Sequence, residues 1–193
     1  MVPEAPLERT DAGLVPAGDG WFVVNVRDAR WFDGHELGYG TSFESENARF
    51  RDLGINVNLL LPGQPSCMYH GEGAQEGFLV VSGECVLIVE GQERTLRAWD
   101  FVHCPAWTEH VIVGAGDGPC VFIAVGARLE GPRDHLSRER HGAQAWRGSG
   151  DGDERPERGL RPLRRAQAGP VPRRVPSGLT VPRQYGQVTV CYL

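Results

Sequence analysis

Pro62-Gly-Gln-Pro-Ser-Cys-Met-Tyr-His70-Gly-Glu72-Gly-Ala-Gln-Glu76-Gly-Phe-Leu-Val-Val-Ser-Gly83 is the stretch that decides how this chain is read. His70 and Glu72 are two residues apart, so on an extended strand both side chains point to one face. Glu76 follows across a short Gly-Ala-Gln turn that can bring its carboxylate back toward them. Three metal-capable groups then converge, and the chain runs on into an apolar piece, residues 78–81, closed by Ser82-Gly83.

Outward from this stretch, short runs rich in Val, Ile, Leu and Phe alternate with turn residues from Leu53 to Arg128. Residues 55–61 precede Pro62-Gly63, and residues 85–89 precede Glu90-Gly91. Further runs follow at 95–99, at 101–104 before Pro105, at 110–113 before Gly114, and at 120–125. Pieces of this length with no 3.6-residue periodicity predict an antiparallel β-sandwich or barrel, an all-β fold.

A fourth ligand-type residue lies in Asp100-Phe-Val-His-Cys-Pro105-Ala-Trp-Thr-Glu-His110, where the turn after Pro105 starts a new strand at His110. His-x-Glu-x3-Glu-x6-Gly followed by Asp-x4-Pro-x4-His resembles the two motifs of the cupin superfamily, small jelly-roll barrels that commonly hold one divalent metal. The resemblance covers about residues 53–128. It implies a metal site made by His70, Glu72, Glu76 and His110, with Glu72 standing where the commonest pattern has a second histidine. Trp107 replaces the pattern's Gly, Gly114 its Asn, and the spacing from Gly63 to His70 is one residue longer.

Taken singly, each of the four would be an ordinary polar residue at a strand end. Four in register with two motifs favour a metal, because burying several carboxylates without a cation costs several kcal/mol or forces protonation. Two imidazoles and two carboxylates make a harder donor set than three imidazoles and one carboxylate, suited to Mn, Fe or Zn. Met68, Tyr69, Phe78 and Trp107 flank these positions and are candidates for lining a pocket. His103, on the strand before Pro105, is expected on the barrel wall. His35, His135, His141 and Glu109 are expected to face solvent.

The ends read differently from the middle. Residues 1–20, with Pro3, Pro6 and Pro16, are expected to be a flexible N-terminal arm, and residues 22–26 (Phe-Val-Val-Asn-Val) a short β-type run at the start of a barrel domain spanning 21–130. Residues 1–130 hold 8 Arg and 19 acids, whereas residues 131–193 hold 12 Arg and 6 acids. The second part has 5 Leu and 5 Val and neither Ile nor Phe, a composition too poor in core residues to fold alone. It is expected to be a disordered Arg/Gly/Pro-rich tail, or the product of a shifted reading frame. No aromatic interleaving suited to base stacking accompanies its arginines, which argues against nucleic acid as a partner.

Five cysteines (67, 85, 104, 120 and 191) form no Cys-x-x-Cys pair and read as thiols of a reducing compartment. No apolar run approaches the roughly 18 residues of a membrane helix, and the N-terminus lacks the basic-then-apolar order of a signal peptide. The expected location is the cytoplasm, with no membrane partner. The chain contains no Lys, which removes the usual Schiff-base nucleophile.

The cupin resemblance implies metal-dependent chemistry on a small oxygen-rich molecule. With iron this would be oxygenation, with manganese or zinc isomerase or lyase chemistry. The alternative is a non-catalytic module that binds or senses a small ligand. In either case the barrel is expected to pair as a homodimer, the N-terminal segment packing on a neighbour.

Overall fold

The computed structural model describes residues 1–128. The expectation of a disordered tail at 131–193 falls outside them. Within this range the fold is all-β, with one 3-10 turn at His35–Leu37. Its strands are β1 (Leu7–Thr10), β2 (Gly13–Pro16), β3 (Arg30–Asp33), β4 (Tyr39–Ser42), β5 (Leu53–Leu60) and β6 (Glu76–Ser82). They continue with β7 (Glu84–Val89), β8 (Gln92–Arg97), β9 (Phe101–Cys104), β10 (His110–Ala115) and β11 (Cys120–Ala127).

Two antiparallel sheets form the jelly roll, one of six strands in the order β3-β4-β5-β11-β6-β9 and one of three in the order β10-β7-β8. Alternation makes the interior. Phe78 and Val80 of β6, Cys85 and Leu87 of β7, Ile112 of β10 and Phe122 of β11 all point inward and form one buried cluster. Turn chemistry fixes the register. Glu90 and Gly91, both at positive φ, make the two-residue connection of the β7–β8 hairpin, where Val89 faces Gln92.

The segment after Pro62 runs along the outer edge of β10. Pro65 bridges Val113, His70 bridges His110, and Ser66 N–H donates to the Ile112 carbonyl at 2.8 Å. Gly114 belongs to the same seam. Its N–H donates to the Gln64 carbonyl and its carbonyl accepts from Gly63 N–H, and a Cβ at this position would collide with the Leu61 carbonyl. Glycine here in place of the motif's Asn therefore follows from a close backbone approach.

Two expectations about the N-terminal part are corrected. Residues 1–20 are not an arm without structure: β1 and β2 pair as a hairpin, with Thr10 Oγ1 donating to the Gly13 carbonyl, and Ala5 and Val15 are buried. Residues 22–26 form no strand, since only Trp21 pairs, in a single bridge to Glu4. Their apolar run has β propensity but finds no ladder partner, and Val23 is exposed.

The end of the barrel where β6 starts and β11 finishes is tied down by Arg128. Its guanidinium makes a two-pronged ion pair with Glu44 and donates to the Phe50 carbonyl, holding the end of β11 against the loop between β4 and β5. No helix of the described residues is long and apolar enough to cross a membrane.

Candidate metal centre

The site is built where the irregular segment meets β10 and the start of β6. His70 and His110 exchange both backbone hydrogen bonds, 3.2 and 2.8 Å long, which places their rings on one face with centroids 5.4 Å apart. Glu76 opens β6 and shares the inward face with Phe78, whose ring lies 5.1 Å from that of His110. Glu72 is held by its backbone, its carbonyl accepting from Trp107 N–H at 2.6 Å.

Both imidazoles are oriented in the same way. His70 Nδ1 lies 2.8 Å from the Met68 carbonyl and His110 Nδ1 lies 3.0 Å from the Thr108 carbonyl. A carbonyl only accepts, so each Nδ1 carries a proton and each ring turns its Nε2 to the interior. His70 Nε2 is 3.4 Å from Glu72 Oε1, and His110 Nε2 is 3.5 Å from Glu76 Oε2. The second pair is the drier: Glu76 is 4% and His110 2% exposed. Burial pushes the His110 pKa below the ordinary imidazole value. The Thr108 carbonyl opposes this, nearby His70 adds to it, and Glu72 opposes it again.

The donor chemistry fits a divalent cation. Two metal–ligand bonds of about 2.0–2.2 Å, meeting at about 90–110°, put their ligand atoms roughly 3 Å apart, close to both Nε2–carboxylate distances. As the side chains stand, however, the donors form two His–Glu pairs rather than one tetrad. Among the described residues no group of three or more His, Cys, Asp or Glu is gathered to hold a metal ion. The His70–Glu72 pair is part-exposed and the His110–Glu76 pair buried, with the two imidazoles 5.4 Å apart.

All four residues open onto one cavity of about 100 Å³, which Phe78 also lines. The other three flanking residues do not. Met68 is 60% and Trp107 57% exposed, and the Tyr69 hydroxyl accepts from Gly91 N–H on the barrel exterior. Tyr69 is one residue from His70, and alternation sends it to the opposite face. His103 is exposed on β9 and is not part of the cavity wall. Residues the sequence did not single out also line the cavity, among them Phe32 of β3, Thr41 of β4, Asn56 and Asn58 of β5, and Phe122 and Ala124 of β11.

Residues 57–126 match the family model described as a cupin domain. These residues form a cupin domain. The domain departs from the common pattern at Trp107, whose φ of 69° is a left-handed conformation that suits glycine. The chain is similar to several solved structures. One, from Acidithiobacillus ferrooxidans and provisionally named a sugar phosphate isomerase, is 31% identical over 41% of this chain and 52% of its own, with a TM-score of 0.39. The chain thus spans about half of that protein. A sugar phosphate isomerase of the cupin superfamily from Silicibacter pomeroyi is 21% identical, covering 55% of this chain and 76% of its own, with a TM-score of 0.47. An RmlC-like cupin from Shewanella frigidimarina is 16% identical over 55% of this chain and 90% of its own, with a TM-score of 0.48. No curated protein sequence matches the chain.

Proposed function

We propose that this cupin binds one divalent metal ion, Mn, Fe or Zn, through His70, Glu72, Glu76 and His110, and acts on a small oxygen-rich molecule held in the barrel. The observation that carries the reading is the shared orientation of the two histidines. Each is held by its own i−2 carbonyl so that its Nε2 faces a carboxylate oxygen. In the buried Glu76–His110 pair, where burial disfavours the charged imidazole, a cation between Nε2 and the carboxylate would satisfy both.

When bound, the ion would act as a Lewis acid toward a carbonyl or hydroxyl oxygen. The protein's own contributions are orientation and exclusion of water. The Met68 and Thr108 carbonyls fix the imidazole tautomers, and Phe78 shields the His110 edge. Glu72, part-exposed at the mouth, is the carboxylate best placed to exchange a proton with solvent. The reaction belongs to the oxygenase, isomerase or lyase types that follow from metal choice.

The second reading, capture of a small ligand without turnover, is favoured by the arrangement of the donors as two pairs and by the largely apolar wall. Exposed Trp99 and Phe101, at and beside the edge strand β9, support a homodimer in either case, and the free thiols among the described residues suit the cytoplasm.

Elemental analysis of protein purified without added metal tests the first reading. It expects one divalent ion per chain, lost in His110→Ala. Metal-free protein that also fails to take up Mn, Fe or Zn on titration would leave the second reading.

A further inference from the structure

Asn56 sits on the inner face of β5, where its neighbours on the same face are Gly54 and Asn58. It lines the cavity, and its Oδ1 is buried with no hydrogen-bond partner among the described residues. A buried acceptor left without a donor costs about 1–3 kcal/mol, so this atom is a place where a ligand's O–H or N–H would be held.

The register shows what lies beside it. Asn56 faces Ala124, and Ala124 faces Phe78, so the three stand in one row across β5, β11 and β6. Strands are about 4.8 Å apart, which separates the Asn56 and Phe78 backbones by roughly 10 Å. The residue between them is an alanine, so the row has a gap where a larger side chain would have filled the barrel. Phe32 and Phe122 add two further apolar walls to the same cavity. Its volume, about 100 Å³ and open to the His–Glu end, is of the order of a single ring, given that a closed cavity of about 150 Å³ accepts benzene.

We infer that the cavity takes a flat, mainly apolar molecule of about one ring bearing a hydroxyl donor, a phenol or cyclic enol, whose O–H is received by Asn56 Oδ1. This rests on the cavity being the ligand site, as proposed above, and departs from that reading in the ligand, which carries few oxygens rather than many. An open-chain polyol fits less well, because its hydroxyls that meet Phe32, Phe78 and Phe122 would be buried without partners, and only those reaching Thr41, Asn58 or the His–Glu end would find one. Asn56 is then a specificity residue: it selects the ring that carries a donor over the same ring without one.

The test compares phenol with toluene, which replaces the hydroxyl by a methyl group of similar size, and with xylitol as the polyol. Dissociation constants are measured on full-length protein by titration calorimetry or ligand-observed NMR, after chelator treatment so that no metal can contribute to phenol binding. Phenol is expected to bind about five- to ten-fold more tightly than toluene. Asn56→Leu should erase that preference while toluene binding holds or improves, and Ala124→Val should weaken both rings by filling the gap. Equal binding of phenol and toluene by the wild type, a preference that survives Asn56→Leu, or tighter binding of xylitol would overturn the inference. The wild-type comparison needs no variant to fold. Because the chelated protein is used, absence of a metal would sink the metal reading while leaving this result intact, and the reverse also holds.

Discussion

His70 and His110 lie directly opposite one another and exchange both backbone hydrogen bonds, although only one of them belongs to a regular strand. The pairing makes their rings neighbours by backbone register alone, before either side chain finds a partner. It leaves the two His–Glu pairs unequal, since His110 and Glu76 are buried while His70 and Glu72 are part-exposed.

That inequality predicts an order of effects on metal binding. Removing one carboxylate charge matters more in the drier pair, where Coulomb terms are less screened. Glu76→Gln should therefore weaken Mn, Fe or Zn affinity more than Glu72→Gln, by about ten-fold or more, in titrations followed by equilibrium dialysis. Equal losses, or a larger loss for Glu72→Gln, would show that the buried pair is not the anchor.

The buried histidine also gives a pH signature in chelator-treated protein. His110 has its folded-state pKa lowered, chiefly by burial, so between that value and the unfolded value near 6.5 the unfolded chain binds more protons than the folded one. Stability is then full above about pH 6.5 and falls as the pH drops below it. Urea unfolding at pH 7.5 and at pH 6.0 should show this loss in the wild type and a smaller one in His110→Asn. A profile unchanged by the substitution would assign the slope to other groups.

How legible all this is from sequence depends on whether the signal is local. Ser82-Gly83 and Glu90-Gly91 mark hairpin turns by residue type, and the apolar runs between them become β6, β7 and β8 with shifts of only a few residues at their ends. Glu76 and His110 could be placed because motif spacing encodes a strand start and a strand face. Pairing partners are not local. The run at 22–26 has the composition of a strand and none of the neighbours, while β1 and β2 pair despite four-residue lengths and flanking prolines. Asn56 and Asn58 were written in Ile55-Asn56-Val57-Asn58-Leu59 as polar residues alternating through an apolar strand. That pattern ordinarily reads as a solvated face, and only the opposing sheet makes it an interior one.

Trp107 offers a separate test of backbone strain. Its left-handed φ costs a residue with a Cβ about 1–2 kcal/mol, yet its indole packs on the loop that carries Glu72, so that a Cβ at Gly73 would stand 3.0 Å from Trp107 Cζ2. Trp107→Ala keeps the strain and loses the contact, whereas Trp107→Gly loses both. The Gly variant should be more stable than the Ala variant by about 1 kcal/mol in denaturant unfolding, the reverse of the usual order of these residues. Both should widen the distribution of Glu72 positions and weaken metal binding relative to wild type. An Ala variant at least as stable as the Gly variant would mean that the loop relaxes to an ordinary conformation.

The thiols are ranked by burial more sharply than by sequence. Cys85, Cys104 and Cys120 are essentially inaccessible, and the Cys104 thiol is pushed up to about 11 by burial and, secondarily, by the charge of Glu76. The Cys85 thiol is also pushed up, first by its hydrogen bond with Cys120 and then by burial. Alkylation needs both a thiolate and a path for the reagent: Cys85 and Cys104 have neither at pH 8, and Cys120, whose thiol the Cys85 hydrogen bond pushes down, lacks the path. Cys67 is half-buried on the cavity wall, 3.6 Å from both Ser66 Oγ and His70 Nδ1. Iodoacetamide treatment of native protein, followed by peptide mass mapping, should therefore label Cys67 well before the other three, with denaturant needed to bring them level. Early labelling of Cys104 would show that the start of β6 and its partner β9 open locally, which would place the Glu76 end of the barrel among its least stable parts.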